Sequence, residues 1–299
     1  MQYRLERVDR IPKRPAWSNI GGIVAHEIVN AYERQRARGE VAAMTPDRAA
    51  EMYRVGLRLK IEEFRETTEF APELWYAADG GREGQEWWQD KGPEFVALYI
   101  ERQADRTAET MVDKGTGQLM LEVDLAGIVN GVPVRGIIDH VLEHATGALT
   151  VRDFKFGRNA PAPGGIQLPA YGVLLAQNGL LADPDGKAKQ VEVWGDYWLG
   201  RKGAASRAIR IPLPDAYERF GYEASLMDVS ERAGLYPVNP SNLCIACSVR
   251  RACPVMGDDD QRRPLVLDGL PNSSLLTLTV GRGSVLDVQP RTPVLATTP

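Results

Sequence analysis

A chain of 299 residues, 43% hydrophobic and 25% charged, has the length to bury a sizeable core and the composition of an ordinary globular protein. No apolar run is long enough to span a bilayer and no secretory leader is visible, so the expectation is a cytoplasmic protein without a membrane partner, its thiols kept reduced. The net charge of −4 and pI near 5.6 exclude a general basic excess of the kind many nucleic-acid-binding domains carry. Basic residues come instead in local stretches: Arg4, Arg7, Arg10, Lys13 and Arg14; Arg201 to Arg210; and Arg250 with Arg251.

In chain order, residues 18–38 read as a helix with Ser18 as its N-cap. Ile20, Ile23, Val24, Ile28 and Ala31 form its apolar stripe, and His26, one of three histidines, lies off the stripe's centre. Residues 46–66 read as a second helix opened by Thr45 and Pro46. The Trp- and Gly-rich stretch 72–93 reads as irregular, with helical spacing returning over about 94–112.

Three apolar-rich runs follow, at 119–128, 134–142 and 148–156, separated by Asn-Gly-Val-Pro and His-Ala-Thr-Gly. They read as an antiparallel meander. Asp139 sits in the second run, an unexpected acid within Ile-Ile-Asp-His-Val. The third carries Asp153 and Lys155, which share a strand face, while Phe154 points the opposite way. Alone, an Asp-x-Lys on a strand is usually a solvated face. If Asp139 projects to the same side, two carboxylates converge beside one ammonium. Carboxylate oxygens suit Mg²⁺ or Mn²⁺, and Lys155 can serve an attacking water or the charge growing on a phosphate. His140 points away from Asp139, and neither it nor His144 is assigned a role. Residues 164–179 fit a helix, with Pro169 in the first turn and Gln167 and Tyr171 four apart on one face. A strand at 191–199 and a helix at 214–233 come next.

All three cysteines lie within ten residues as C-x2-C-x5-C: Cys244, Cys247 and Cys253. Clustered thiolates select an iron–sulfur cluster or zinc. From about Asp258 the chain turns polar. Residues 264–299, rich in Pro, Thr and Gly, read as a weakly ordered tail with a short hairpin in LLTLTVGRGSVLDV.

Taken together, Asp139, Asp153-x-Lys155 and Gln167-x-x-x-Tyr171 resemble, in order and spacing, the PD-(D/E)XK nuclease superfamily and its RecB-like branch. Gly22-x-x-x-His26 is similar to that branch's first motif. The resemblance implies an α/β fold with a restriction-endonuclease-like core: a mixed central sheet flanked by helices, a helical insertion at about 40–115 and a cysteine knuckle at 239–257. Residues 1–257 would form the nuclease domain and 258–299 the tail. It implies a metal-dependent DNA exonuclease acting on ends or single strands, in phage or prophage recombination and processing. A CRISPR spacer-acquisition nuclease, with recombination or CRISPR proteins as partners, and a non-catalytic DNA-binding scaffold are the alternatives. His26, Asp139, Asp153 and the carbonyl of Phe154 would hold Mg²⁺ or Mn²⁺, Lys155 would serve the water, and Gln167 and Tyr171 would position the strand. The cysteine spacing resembles the C-terminal half of the 4Fe–4S clamp in AddB-type and CRISPR-associated RecB-like nucleases. The fourth, upstream cysteine of that clamp has no counterpart, since residues 1–243 contain none. Zinc is the alternative metal.

Overall fold

The computed structural model describes residues 2–157, 161, 164–182, 191–237 and 239–257. Residues 258–299, and with them the expected tail and hairpin, lie outside the described residues. Among the described residues, no helix is long and apolar enough to cross a membrane.

Helix α1 spans Trp17–Ala37. Ala16, not Ser18, is its N-cap and supplies no side-chain cap. Ser18 falls inside the first turn because the Trp17 N–H is already taken up by the Tyr76 carbonyl (3.0 Å). Helix α2, Pro46–Thr67, begins as its sequence signals, with Thr45 accepting from the Arg48 N–H at 3.2 Å. Helix α3, Gln85–Gln103, starts and ends about nine residues before the expected 94–112 span. The pair Gly92-Pro93 reads locally as a breaker, yet both residues are buried inside this helix. A Cβ on Gly92 would stand 2.1 Å from the Tyr53 ring, so glycine is what lets α2 and α3 approach there.

The sheet follows: β1 (Glu109–Thr110), β2 (Leu121–Val129), β3 (Val132–Glu143), β4 (Leu149–Lys155), β5 (Val193–Leu199), and short β6 (Ala204–Ala205) and β7 (Ile209–Arg210). The expected meander is present: β2 pairs with β3 and β3 with β4, both antiparallel. Helix α4, Gln167–Gln177, then connects β4 to β5, which pairs parallel to β4 and makes the sheet mixed. Helix α5 spans Leu213–Arg232.

Two cores sandwich the sheet. Ile20, Val24, Tyr53, Leu57, Trp88, Val96 and Tyr99 of α1, α2 and α3 pack against Phe154, Phe156 and Trp198. On the other face Leu168, Val173, Leu174 and Ala216 of α4 and α5 pack against Val123, Ile138, Leu149 and Val151. Alternation along β4 sends Leu149, Val151 and Asp153 toward α4 and Thr150, Arg152 and Phe154 toward the three-helix side.

A buried polar network lies on the three-helix side. Glu33 of α1, fully buried, accepts from Arg106 at 2.8 and 2.7 Å and from the Tyr99 hydroxyl at 2.5 Å. The Thr110 hydroxyl lies 3.2 Å from Glu33 and 2.9 Å from His140 Nε2. Burial raises the Glu33 carboxyl, but the charge on His140 in acid and the hydrogen-bonded Arg106 guanidinium outweigh it and hold the group down at about 2. Burial pushes His140 to about 3, so it is neutral at neutral pH and Arg106 is the cation that keeps Glu33 ionised. We predict that Glu33→Gln, which leaves Arg106 buried without its counter-ion, lowers unfolding free energy in urea by roughly 3 kcal/mol. An unchanged urea midpoint would contradict this account of the network.

Candidate active site

The C-terminal half of β4 presents the site. Asp153 is 2% exposed and points toward α4, while Lys155, one step along the same face, is half-buried. Lys155 Nζ stands 2.6 Å from Asp153 Oδ2, an ion pair at hydrogen-bond distance. Gln167, the first residue of α4, donates from Nε2 to Asp153 Oδ1 at 2.6 Å and to the Tyr171 hydroxyl at 2.8 Å. The Tyr171 hydroxyl is 3.5 Å from the same Asp153 oxygen. Helical i, i+4 spacing thus brings both polar groups of α4 onto one carboxylate. Gly136 of β3 makes this approach possible: a Cβ there would lie 2.9 Å from Leu174 and 3.5 Å from Tyr171.

Asp139 meets β4 at the point where strand pairing stops. The β3–β4 register runs from Glu143↔Leu149 to His140↔Arg152. Beyond it the Phe154 N–H donates to Asp139 Oδ2 at 2.8 Å, so the carboxylate takes the place of a strand carbonyl. His26 of α1 reaches the same oxygen, with Nδ1 at 3.8 Å, and its ring stands edge-on to Phe154 and Phe156 at 5.6 Å from each. The structure therefore gathers His26, Asp139, Asp153, Lys155, Gln167 and Tyr171 into one continuous set around Phe154. His140 lies in the buried network on the opposite side, as its strand position implied.

Burial and proximity set the charges. Burial, with a contribution from the Asp139 charge, pushes Asp153 up to about 6; burial likewise pushes Asp139 up to about 6 against the Phe154 N–H and Lys155. His26 is pushed down by burial and Tyr171 up by burial. Two carboxyls held this high lack positive charge; at Asp153 the Lys155 ammonium and, more weakly, His26 oppose the rise.

Glu122 was not singled out by sequence. It lies in β2 between Leu121↔His140 and Val123↔Ile138, at the level of Asp139, with a left-handed φ of +49°. A non-glycine residue there costs on the order of 1 kcal/mol, and such strain concentrates at functional positions. Exposed Glu122 lines one cavity with Gly22, His26, Phe154 and Lys155. In LEVDLAGIV its polar position reads simply as the solvent side of an alternating strand, and only the backbone conformation marks it.

The cysteines lie elsewhere. Cys244 and Cys247 are half-buried and Cys253 is buried, all as free thiols. Cys253 packs with Val249 and Ala252 against Leu5 of the N-terminal helical turn Arg4–Val8, with Cys247 at the edge of that cluster. Among the described residues, no group of three or more His, Cys, Asp or Glu side chains is arranged to hold a metal ion. For the thiols this gives no support to either an iron–sulfur cluster or zinc. At the strand site the donors still suit a hard cation: oxygen ligands of raised basicity on the buried Asp139 and Asp153 carboxyls, and an adjacent imidazole.

A mixed sheet flanked by helices, with two carboxyls and a lysine converging at the ends of neighbouring strands, defines a restriction-endonuclease-like nuclease core. The family model of the PD-(D/E)XK nuclease superfamily matches residues 1–254, and the chain belongs to that superfamily. It is similar to the Gene 69 protein of Mycobacterium phage D29, 28% identical over 271 residues, covering 85% of this chain and 91% of that protein. It is also similar to the Gene 69 protein of Mycobacterium phage L5, 26% identical over 276 residues with the same coverage.

Proposed function

We propose that this chain is a metal-dependent deoxyribonuclease of the RecB-like branch, an exonuclease acting on DNA ends or single strands in phage or prophage DNA recombination and processing. The observation that carries the reading is the shared environment of Asp153: Lys155 against one oxygen, Gln167 and Tyr171 at the other, and Asp139 joined to it through the Phe154 N–H. The phage relatives support the setting.

In this reading His26, Asp139, Asp153 and the carbonyl of Phe154 would hold Mg²⁺ or Mn²⁺. The site would thereby gain Lewis-acid charge for the phosphate and a more acidic water. Lys155, ordered by Asp153 yet open to solvent on one side, directs its ammonium to the attacking water and to charge growing on the phosphorus oxygens. Gln167 and Tyr171 hold Asp153 in place from α4 and border the path of the strand. The domain would run through residue 257, with α2 and α3 as its helical insertion. The C-x2-C-x5-C segment would fasten the C-terminal part of the domain to the nuclease core, with an iron–sulfur cluster as the first assignment and zinc as the second.

End-dependence tests the activity. With Mn²⁺ present, linear DNA should be degraded to short products while covalently closed circular DNA of the same sequence persists. Nicking of the circle would overturn the exonuclease assignment, and cleavage of neither substrate would overturn the nuclease reading.

A further inference from the structure

The chain is acidic overall, yet two segments far apart in the sequence are locally basic. Residues 2–14 and 239–257 hold seven Arg and Lys against two acids, Glu6 and Asp9, in a chain of net charge −4. The fold joins them. Leu5, 1% exposed, packs with Val249, Ala252 and Cys253. The Arg14 N–H donates to the Ser248 carbonyl at 2.9 Å, Arg14 Nη2 to the Ile245 carbonyl at 3.2 Å, and the Ser248 hydroxyl to Glu6 at 2.5 Å. Arg7, Arg10, Lys13 and Arg251 are exposed on the resulting lobe.

This lobe leads to the active site. A groove between it and α2 is lined by Lys13, Arg14, Asn19, Phe64 and Ser248, together with the acids Glu6 and Glu69. Glu6 is engaged by Lys13 at 3.3 Å as well as by Ser248. Asn19, in the first turn of α1, also lines the cavity that holds His26, Glu122 and Lys155, so the two spaces share a wall. Gly22, the next turn along that wall, has nothing within 4 Å of where a Cβ would sit, so the space beside it is open. The first turn of α1 contains no acid. Phe64 lines the groove as its aromatic side chain, and the Arg14 guanidinium is held over the Tyr76 ring at 5.2 Å. Basic groups beside an aromatic ring suit a single nucleic-acid strand, whose phosphates take the charge and whose bases stack.

We propose that the lobe built from the N-terminal segment and the cysteine knuckle is a binding surface for single-stranded DNA, feeding the strand along the first turns of α1 into the cavity at His26 and Lys155. The inference rests on the nuclease reading for its direction, and on the charge and groove geometry for the surface itself.

The test compares the full chain with the triple variant Arg7→Ala, Arg10→Ala, Lys13→Ala, at exposed positions remote from the reacting groups. Binding of a fluorescent oligothymidine of about 20 nucleotides is followed by anisotropy in Ca²⁺ across a salt series. Loss of three phosphate contacts should weaken affinity at least tenfold at about 0.1 M salt and make the slope of log K against log salt shallower by about 2. Hydrolysis of bis(p-nitrophenyl) phosphate in Mn²⁺, which is too small to reach the lobe, should be unchanged. Arg7→Lys with Arg10→Lys should keep the wild-type slope. Unchanged strand affinity and slope in the triple variant would overturn the proposal, as would an equal loss of small-ester hydrolysis. A loss confined to duplex DNA would overturn the single-strand assignment. If the wild type hydrolyses neither DNA nor the ester, the nuclease reading fails, and the binding series still decides the surface.

Discussion

Asp153→Asn is expected to lower Mn²⁺-dependent DNA cleavage by about a thousandfold or more, and to make the metal-free protein more stable at neutral pH. The first effect follows from removing the carboxylate on which Lys155, Gln167 and Tyr171 converge, a loss of about 4 kcal/mol of transition-state stabilisation. The second follows from burial. Asp153 and Asp139 are each held up to about 6, so between about pH 4 and 6 the folded chain keeps protons that unfolded carboxyls have released. Unfolding free energy therefore falls as pH rises through that window, and above it the full cost of two charged, buried acids remains. Asparagine keeps an oxygen for Gln167 but no charge, and should recover up to about 2 kcal/mol at neutral pH. Urea unfolding of metal-free wild type and variant at pH 5 and 7.5 measures this. A variant less stable than wild type at pH 7.5 would show that the carboxylate is a structural asset and not a stored cost.

Lys155→Ala should lower the single-turnover rate by two to four orders of magnitude, the range of general acid–base and charge-stabilising groups. DNA affinity measured in Ca²⁺ should stay within about threefold of wild type, since the ammonium's work is done at the reacting phosphate and not in ground-state binding. The substitution also strips Asp153 of its ion pair, so the carboxyl should titrate higher still. A variant that lost affinity and kept its rate would make Lys155 a binding residue.

The parts of this site that obey a local period were legible in the sequence. Period-two alternation put Asp153 and Lys155 on one strand face and Phe154 in the core, and i, i+4 spacing put Gln167 with Tyr171. Asp139 was legible as an anomaly but not in its geometry. Its carboxylate replaces a strand carbonyl where β3 leaves β4, and the companion distortion at Glu122 depends on a backbone angle that no residue pattern announces. The early start of α3 was hidden because Gly92-Pro93 is a breaker in isolation and a helix–helix contact against Tyr53 in the fold. Glu33, in a stretch of mixed charges, reads as solvated until Arg106 and Tyr99 close over it. The cysteines were legible as a cluster, while their contact with Leu5 joins residues more than 230 positions apart and has no local signal.

Cleavage of end-labelled linear DNA by purified wild type and Asp139→Ala, side by side in Mn²⁺ and in chelator, tests the central assignment most directly. Metal-dependent release of short products is expected from the wild type, none in chelator, and none from an Asp139→Ala protein whose circular dichroism shows it folded. Wild-type cleavage that survives the chelator, or cleavage by folded Asp139→Ala at the wild-type rate, would contradict that assignment.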